Sequence, residues 1–197
     1  MSATTTSLRQ VPFFAYPYVF TSARNELLAV LEDIGSRGAF IMQRDLSRFE
    51  ENLAIFLNSK FALGVGNATD GLHFAVRAAD LRHGDEVILS SHTMIATAAA
   101  VHFAGATPVP VDCGPDHLID PSAVEAAVSS RTRAIMPTQL NGRTCNMDAI
   151  KAIADKHGLH VIEDAAQALG SRFKGRCAGT FGMASAISFY PDRKSVV

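Results

Sequence analysis

Hydrophobic positions in this chain recur with two different periods. Near the amino end, Leu27, Leu28, Leu31 and Ile34 repeat at helical spacing within residues 22–34. Leu46, Phe49, Leu53, Phe56 and Leu57 do the same within 45–57. The segment Ser36-Arg37-Gly38-Ala39-Phe40-Ile41 reads as the turn between them, so residues 1–60 are expected to form a helical segment ahead of the main body. From residue 61 short apolar runs alternate with helical patterns. The runs Phe61–Val65, Glu86–Leu89, Thr107–Val111, Ala134–Met136, His160–Glu163 and Ala186–Tyr190 predict strands. The intervals predict helices over about 70–79, 93–103, 121–128 and 147–157. Local signals mark their ends: Asp120-Pro121 starts one, Asn146 caps another, and Gly105 and Gly158 stop two. Regular alternation of this kind specifies an α/β fold, a mostly parallel sheet with helices on both faces and right-handed crossovers.

Composition narrows the class. The chain has 197 residues, 48% of them hydrophobic and 19% charged, with a net charge of −1. That is a neutral globular chain, and neither nucleic acid nor an anionic membrane is an expected partner. The longest apolar runs fall well short of a membrane span. Met1–Gln10 is polar, without the apolar stretch of a secretory signal. Cys113, Cys145 and Cys177 are too few and too scattered for a disulfide framework or a zinc cluster, so a reducing cytoplasm is expected. His157 and His160 form an isolated pair with no third ligand nearby, and they read as structural or surface histidines.

The candidate chemistry lies where strands end. Val161-Ile162-Glu163-Asp164-Ala165-Ala166-Gln167-Ala168 places a carboxylate where a buried strand passes into a loop of small residues. Asp164 then falls at the carboxyl end of the sheet, where open α/β sheets bind ligands. A protonated pyridine nitrogen, as in pyridoxal phosphate, suits such a carboxylate, because the pair keeps the ring cationic. The alternative for Asp164 is a helix N-cap. Gly64-Val65-Gly66-Asn67-Ala68-Thr69-Asp70-Gly71 joins the first predicted strand to the first helix of the alternating region. Its glycines and free N–H groups, with the Thr69 hydroxyl, suit a phosphate. A dinucleotide fingerprint fits less well, since Thr69 holds the third glycine position and Asp85 precedes the second strand instead of ending it. In Ser91-His92-Thr93-Met94-Ile95-Ala96-Thr97, Met94 is apolar and polarizable enough to lie over a flat ring, or it packs in the core. Ser91 and His92 adjoin in sequence, which does not make a catalytic pair. Ser188, after the last predicted strand, is a further hydroxyl for a phosphate or an ordinary strand-end serine.

Taken in order, these stretches resemble the DegT/DnrJ/StrS family of sugar-nucleotide aminotransferases, pyridoxal-phosphate enzymes of fold type I. The likeness is carried by Gly38-Ala39-Phe40-Ile41, Asn67-Ala68-Thr69-Asp70-Gly71-Leu72, Gly84-Asp85-Glu86-Val87-Ile88, Ser91 to Thr97, Ala104-Gly105-Ala106-Thr107-Pro108-Val109, Asn141-Gly142-Arg143, the Asp164 segment and Ser188-Phe189-Tyr190-Pro191. It implies that residues 61–191 form an incomplete cofactor-binding large domain, truncated before its end. It also implies that Ala68, Thr69 and Ser188 bind the phosphate, that Asp164 pairs with the pyridine nitrogen and that Gln167 contacts the ring region. Position 94 is usually aromatic in the family, so Met94 implies weaker stacking. The implied partners are a nucleotide-linked keto-sugar, glutamate as amino donor and a second copy of the chain. The implied product is an amino sugar for a polysaccharide or a glycosylated metabolite.

The resemblance breaks after Pro191. The family continues Ser-Phe-Tyr-Pro-x-Lys, with the lysine forming the Schiff base, whereas this chain has Arg193 there and Lys194 one residue late. A guanidinium stays protonated and does no imine chemistry. Asp192-Arg193-Lys194-Ser195-Val196-Val197 is also what a common short-read sequencing adapter encodes. Residues 192–197 are therefore expected to be a non-native tail, the C-terminal small domain to be absent, and the fragment to be inactive. Three rivals remain at this point: a keto-sugar dehydratase of the same family, which has histidine at the lysine position, a non-catalytic regulatory or binding protein on the same fold, and a nucleotide-cofactor oxidoreductase, which Thr69 disfavours.

Overall fold

The computed structural model describes residues 15–190. Two compact units divide between Gln43 and Arg44. The first contains α1 (Tyr16–Arg37), which has proline in its first turn and Arg37 in its last, where a cation complements the helix dipole. It is longer than the predicted 22–34, and none of its residues is buried.

The second unit begins with α2 (Arg44–Leu57). This helix lies ahead of the expected boundary at residue 60, yet it belongs with the sheet-bearing unit. The reason is local: Glu50 Oε1 of α2 accepts the Gly64 N–H at 2.6 Å, and the Phe49 ring meets Phe189 edge-on at 5.0 Å. Then follow α3 (Ala68–Ala78), β1 (Glu86–Ser90), α4 (Ile95–Phe103), β2 (Thr107–Val111), α5 (Pro121–Ala127), β3 (Thr132–Met136), α6 (Met147–His157), β4 (His160–Asp164), β5 (Arg172–Phe173), β6 (Arg176–Cys177) and β7 (Ala184–Ala186).

Five strands form one sheet in the order β2-β1-β3-β4-β7, and every pairing in it is parallel. Successive side chains of a strand point to opposite faces, and the burial follows that rule. Val87, Leu89, Ala134, Met136 and Ile162 join Leu72, Val76 and Val101 in one core, under α3 and α4. Ile88, Ile135 and Val161 join Val124, Met147, Ile150 and Ile153 in the other, under α5 and α6. Each of these side chains larger than alanine contributes about 1.5–3 kcal/mol by leaving water. The fold is thus the α/β arrangement that the pattern specifies. Strand order reverses between β1 and β3, because the chain leaves β1 toward β2 and returns to β3 on the other side. The crevice at such a reversal, at the carboxyl ends of the strands, is the preferred ligand position of open α/β sheets.

Three predicted details differ. Phe61–Val65 is not a strand. Its backbone is held by the Glu50 carboxylate and by Ser59 Oγ, which donates to Phe61 O. Phe61 and Leu63 stay exposed. The last strand is Ala184–Ala186, not Ala186–Tyr190. Its ladder runs beside Ile162–Asp164 and ends where β4 ends, so Ile187–Tyr190 has no strand to continue along. The hairpin β5–β6 was not expected. Lys174 and Gly175 both take positive φ (49° and 82°), the backbone of a tight two-residue hairpin turn.

Candidate functional site

Asp164 is the last residue of β4, and its backbone is fixed on both sides. Its N–H donates to Pro137 O at 3.0 Å and its carbonyl accepts the Gln139 N–H at 2.9 Å. The side chain is only 4% exposed. A buried carboxylate is costly unless it receives hydrogen bonds. Oδ2 accepts the Thr97 hydroxyl at 2.6 Å and Oδ1 accepts the Ala166 N–H at 3.2 Å. Thr97 lies in the first turn of α4, whose positive end favours a nearby anion. No helix follows Asp164, so it does not act as a helix N-cap.

Glu163 beside it faces the opposite side of the sheet. Its Oε1 accepts the Phe181 and Gly182 N–H groups at 2.5 and 2.9 Å, and Oε2 accepts the Gly179 N–H and Gln139 Nε2 at 2.8 Å each. Glu163 thereby pins the loop that leads into β7, and with it the path toward Ser188. Sequence reasoning overlooked Glu163, Gln139 and Thr97. The available signal was the Thr93-x-x-x-Thr97 spacing, which places both hydroxyls on one side of a helix start.

Around the end of β4 the other sequence-predicted residues gather from separate elements. Asn67 caps α3 by accepting the Asp70 N–H at 2.9 Å. Ala68 and Thr69 occupy the first turn, where N–H groups have no partner within the helix. Gly71 lets α3 press onto β7, since a Cβ there would lie 3.2 Å from Ala186 Cβ. This contact sets the start of α3 near the end of β7, two residues before Ser188. Ser188 is half-buried and its Oγ accepts the Tyr190 N–H at 3.2 Å. Met94 is 55% exposed, so it does not pack in the core. With Gln167 it lines a cavity of about 220 Å³ whose other walls are His92, Thr93, Leu140 and Asn141. These residues follow β1, β3 and β4, so the cavity lies at the strand-order reversal. Gln167 braces it: Oε1 accepts the Asn141 N–H at 3.2 Å and its carbonyl accepts the Gly142 N–H at 2.9 Å. Asp164 connects to this cavity through Thr97 and Thr93, whose hydroxyls are 2.7 Å apart.

Other groups stand aside from this arrangement. The ring of His92 meets that of His117 at 5.8 Å, and Ser91 Oγ faces Cys113 Sγ at 3.9 Å, so Ser91 and His92 do not form a hydrolytic pair. Burial pushes the Cys145 thiol up to about 12, which removes it as a nucleophile. His157 pairs with Glu125 at 2.9 Å, and among the described residues no three His, Cys, Asp or Glu side chains are placed to hold a metal. A larger hollow of about 490 Å³, lined by Asp80, Arg82, Asp85, Arg133 and His160 among others, lies at the amino ends of the strands. That is the wrong edge for ligand chemistry in this kind of sheet. Pro191, Arg193 and Lys194, on which the lysine question turns, lie outside the described residues. No helix among the described residues is long and apolar enough to cross a membrane.

A buried carboxylate that accepts a hydroxyl and a backbone N–H, a helix start with free N–H groups and a cavity walled by Met94 and Gln167 form a donor set that fits pyridoxal phosphate. The fold is that of the pyridoxal-phosphate aminotransferases. Residues 21–196 match the DegT/DnrJ/EryC1/StrS aminotransferase family, and the chain belongs to it. The aminotransferases of this family are pyridoxal-phosphate-dependent. One relative is the dTDP-3-amino-3,4,6-trideoxy-alpha-D-glucose transaminase of Streptomyces venezuelae, 41% identical over 93% of this chain and 49% of its own. Another is a pleiotropic regulatory protein of Geobacillus stearothermophilus, 41% identical over 93% of this chain and 50% of its own. Among solved structures, a DegT DnrJ EryC1 StrS aminotransferase from Brucella abortus superposes with a TM-score of 0.89 at 32% identity, over 92% of this chain and 51% of that one. The chain spans about half the length of the curated relatives it matches.

Proposed function

We propose that this chain is the cofactor-binding half of an aminotransferase that moves an amino group from glutamate to a nucleotide-linked keto-sugar. The observation that carries the reading is Asp164, a buried carboxylate at the carboxyl end of β4, joined by hydroxyls to the cavity at the strand-order reversal. In this reading Asp164 pairs with the ring nitrogen and holds its proton. Met94 and Gln167 contact the ring, and Ala68, Thr69 and Ser188 bind the phosphate with help from the start of α3. When bound, pyridoxal phosphate supplies an electron-withdrawing ring that accepts the electrons released at the substrate carbon. The relatives named for dTDP- and UDP-linked sugars support the substrate class. We read the whole protein as a cytoplasmic homodimer, on the free thiols Cys113, Cys145 and Cys177 and on the exposed Phe61, Leu63, Ile95 and Phe103. With Arg193 at the lysine position, the 197 residues by themselves are expected to be inactive.

The test has two arms. Pyridoxal phosphate is titrated into the chain and its Asp164→Asn variant, and the intact gene product is assayed for 2-oxoglutarate released from glutamate with dTDP- and UDP-linked keto-sugars. Binding that weakens at least about tenfold in Asp164→Asn, with sugar-dependent 2-oxoglutarate, supports the reading. Equal binding by both chains overturns it. A second reading, a cofactor-binding regulator, is favoured by the Geobacillus relative. It requires the cofactor arm to succeed and the amination arm to fail.

A further inference from the structure

Three threonines from two segments, the stretch from β1 into α4 and the stretch after β3, meet in single file at Asp164. Thr138, after β3, donates its hydroxyl to Thr93 Oγ1 at 2.9 Å. Thr93, after β1, lies 2.7 Å from Thr97 Oγ1. Thr97, in α4, donates to Asp164 Oδ2 at 2.6 Å. A hydroxyl has one proton to give. The proton of Thr97 is committed to the carboxylate, so Thr93 must be the donor in the middle link. All three O–H groups then point the same way, toward Asp164. Thr97 and Thr138 are buried, and Thr93 also forms part of the cavity wall.

We infer that Thr138, Thr93 and Thr97 form a one-way hydroxyl chain that orients Asp164 toward the cofactor's ring nitrogen, making them positioning residues for that contact. The chain ties the ends of β1, β3 and β4 together across the strand-order reversal. Aligned donors polarise one another, so the last bond gains from the two behind it. Donation to both Oδ2 and Oδ1 fixes the plane of the carboxylate. The inference rests on the pyridoxal-phosphate reading above and adds how its nitrogen partner is held.

The test separates the nitrogen contact from general packing. Pyridoxal phosphate and its 1-deaza analogue, with carbon in place of the ring nitrogen, are each titrated into the wild-type chain and into Thr97→Val, Thr97→Ser and Thr138→Val. Thr97→Val is expected to weaken pyridoxal phosphate about tenfold and the deaza analogue less than about twofold. Thr97→Ser restores binding, and Thr138→Val weakens it by a few-fold in the same direction. Equal weakening of both ligands, or none, overturns the inference and leaves the cofactor reading intact. No binding of pyridoxal phosphate by the wild-type chain overturns the cofactor reading itself. A ligand-free arm uses urea denaturation of Thr97→Val, Asp164→Ala and the double variant. Coupling of about threefold or more in the folding constant supports the hydroxyl chain, and strict additivity overturns it.

Discussion

Gln139 Nε2 donates to Glu163 Oε2 at 2.8 Å, and both side chains are wholly buried. Gln139 Oε1 in turn accepts the Cys145 N–H at 2.7 Å. The pair therefore joins the segment after β3 to the loop before β7, beneath the edge that presents Asp164. With three backbone N–H groups also directed at Glu163, its carboxylate is satisfied by neutral donors on every side. Replacing it by an amide puts an NH2 group where only acceptors fit. Glu163→Gln is expected to cost about 2–3 kcal/mol, measured by urea denaturation, although the change is isosteric. A loss below about 0.5 kcal/mol shows that the loop does not depend on this carboxylate.

Gly182 is fixed by proximity, not by an unusual dihedral. A Cβ at this position would fall 2.2 Å from the Val161 carbonyl oxygen, which is backbone and has little room to yield. At Gly71 the corresponding neighbour is Ala186 Cβ, at 3.2 Å. Gly182→Ala should therefore destabilise by about 2–3 kcal/mol or more, and Gly71→Ala by less. Thermal melts of the two variants check the order, and a reversed order refutes the close approach of the Gly182 loop to β4.

Glu86 sets part of the acid limit of stability. The Ser129 hydroxyl (2.5 Å), followed by the Arg131 guanidinium, holds its carboxyl below the usual carboxylate range. The folded value is thus lower than the unfolded one. The stabilisation is fully present above the ordinary carboxylate range and is lost as pH falls through the lowered folded value. Glu86→Gln should give a flatter fall in melting temperature between about pH 5 and pH 3 than wild type. Parallel curves for the two proteins would count against this assignment.

The parts of the fold set by neighbours in sequence were legible. Asp120 before Pro121, and Asn146 with Gly158 eleven residues after Met147, bracket α5 and α6 because capping chemistry is local. The edge position of Asp164 was legible for the same reason, as a buried run passing into small residues. What depends on distant partners was not. Phe61–Val65 has strand composition, but a strand also needs a neighbour, and α2 takes up its backbone instead. Ala186 ends β7 because β4 ends beside it, a limit set 22 residues earlier in the chain. The contact between Thr97 and Asp164 spans 67 residues, so no local pattern could announce it. The hairpin turn Lys174-Gly175 was overlooked despite a local signal, as was the Thr93-x-x-x-Thr97 spacing.

Met94 offers a prediction in the opposite direction, a gain. It stands at the start of α4 with more than half its surface exposed and forms part of the wall of the cavity shared with Gln167. A thioether attracts an aromatic ring, but it presents an edge of one sulfur and two carbons where a ring presents a whole face. If the cofactor ring lies against this position, Met94→Phe adds offset stacking worth about 0.5–1.5 kcal/mol, and affinity for pyridoxal phosphate rises by roughly two- to tenfold. Because the side chain lies outside both cores, the melting temperature without ligand should shift little. The measurement is a titration with pyridoxal phosphate beside a ligand-free melt. Unchanged affinity with an unchanged melt would remove Met94 from the ring contact, while leaving the roles of Asp164 and the threonines to their own tests.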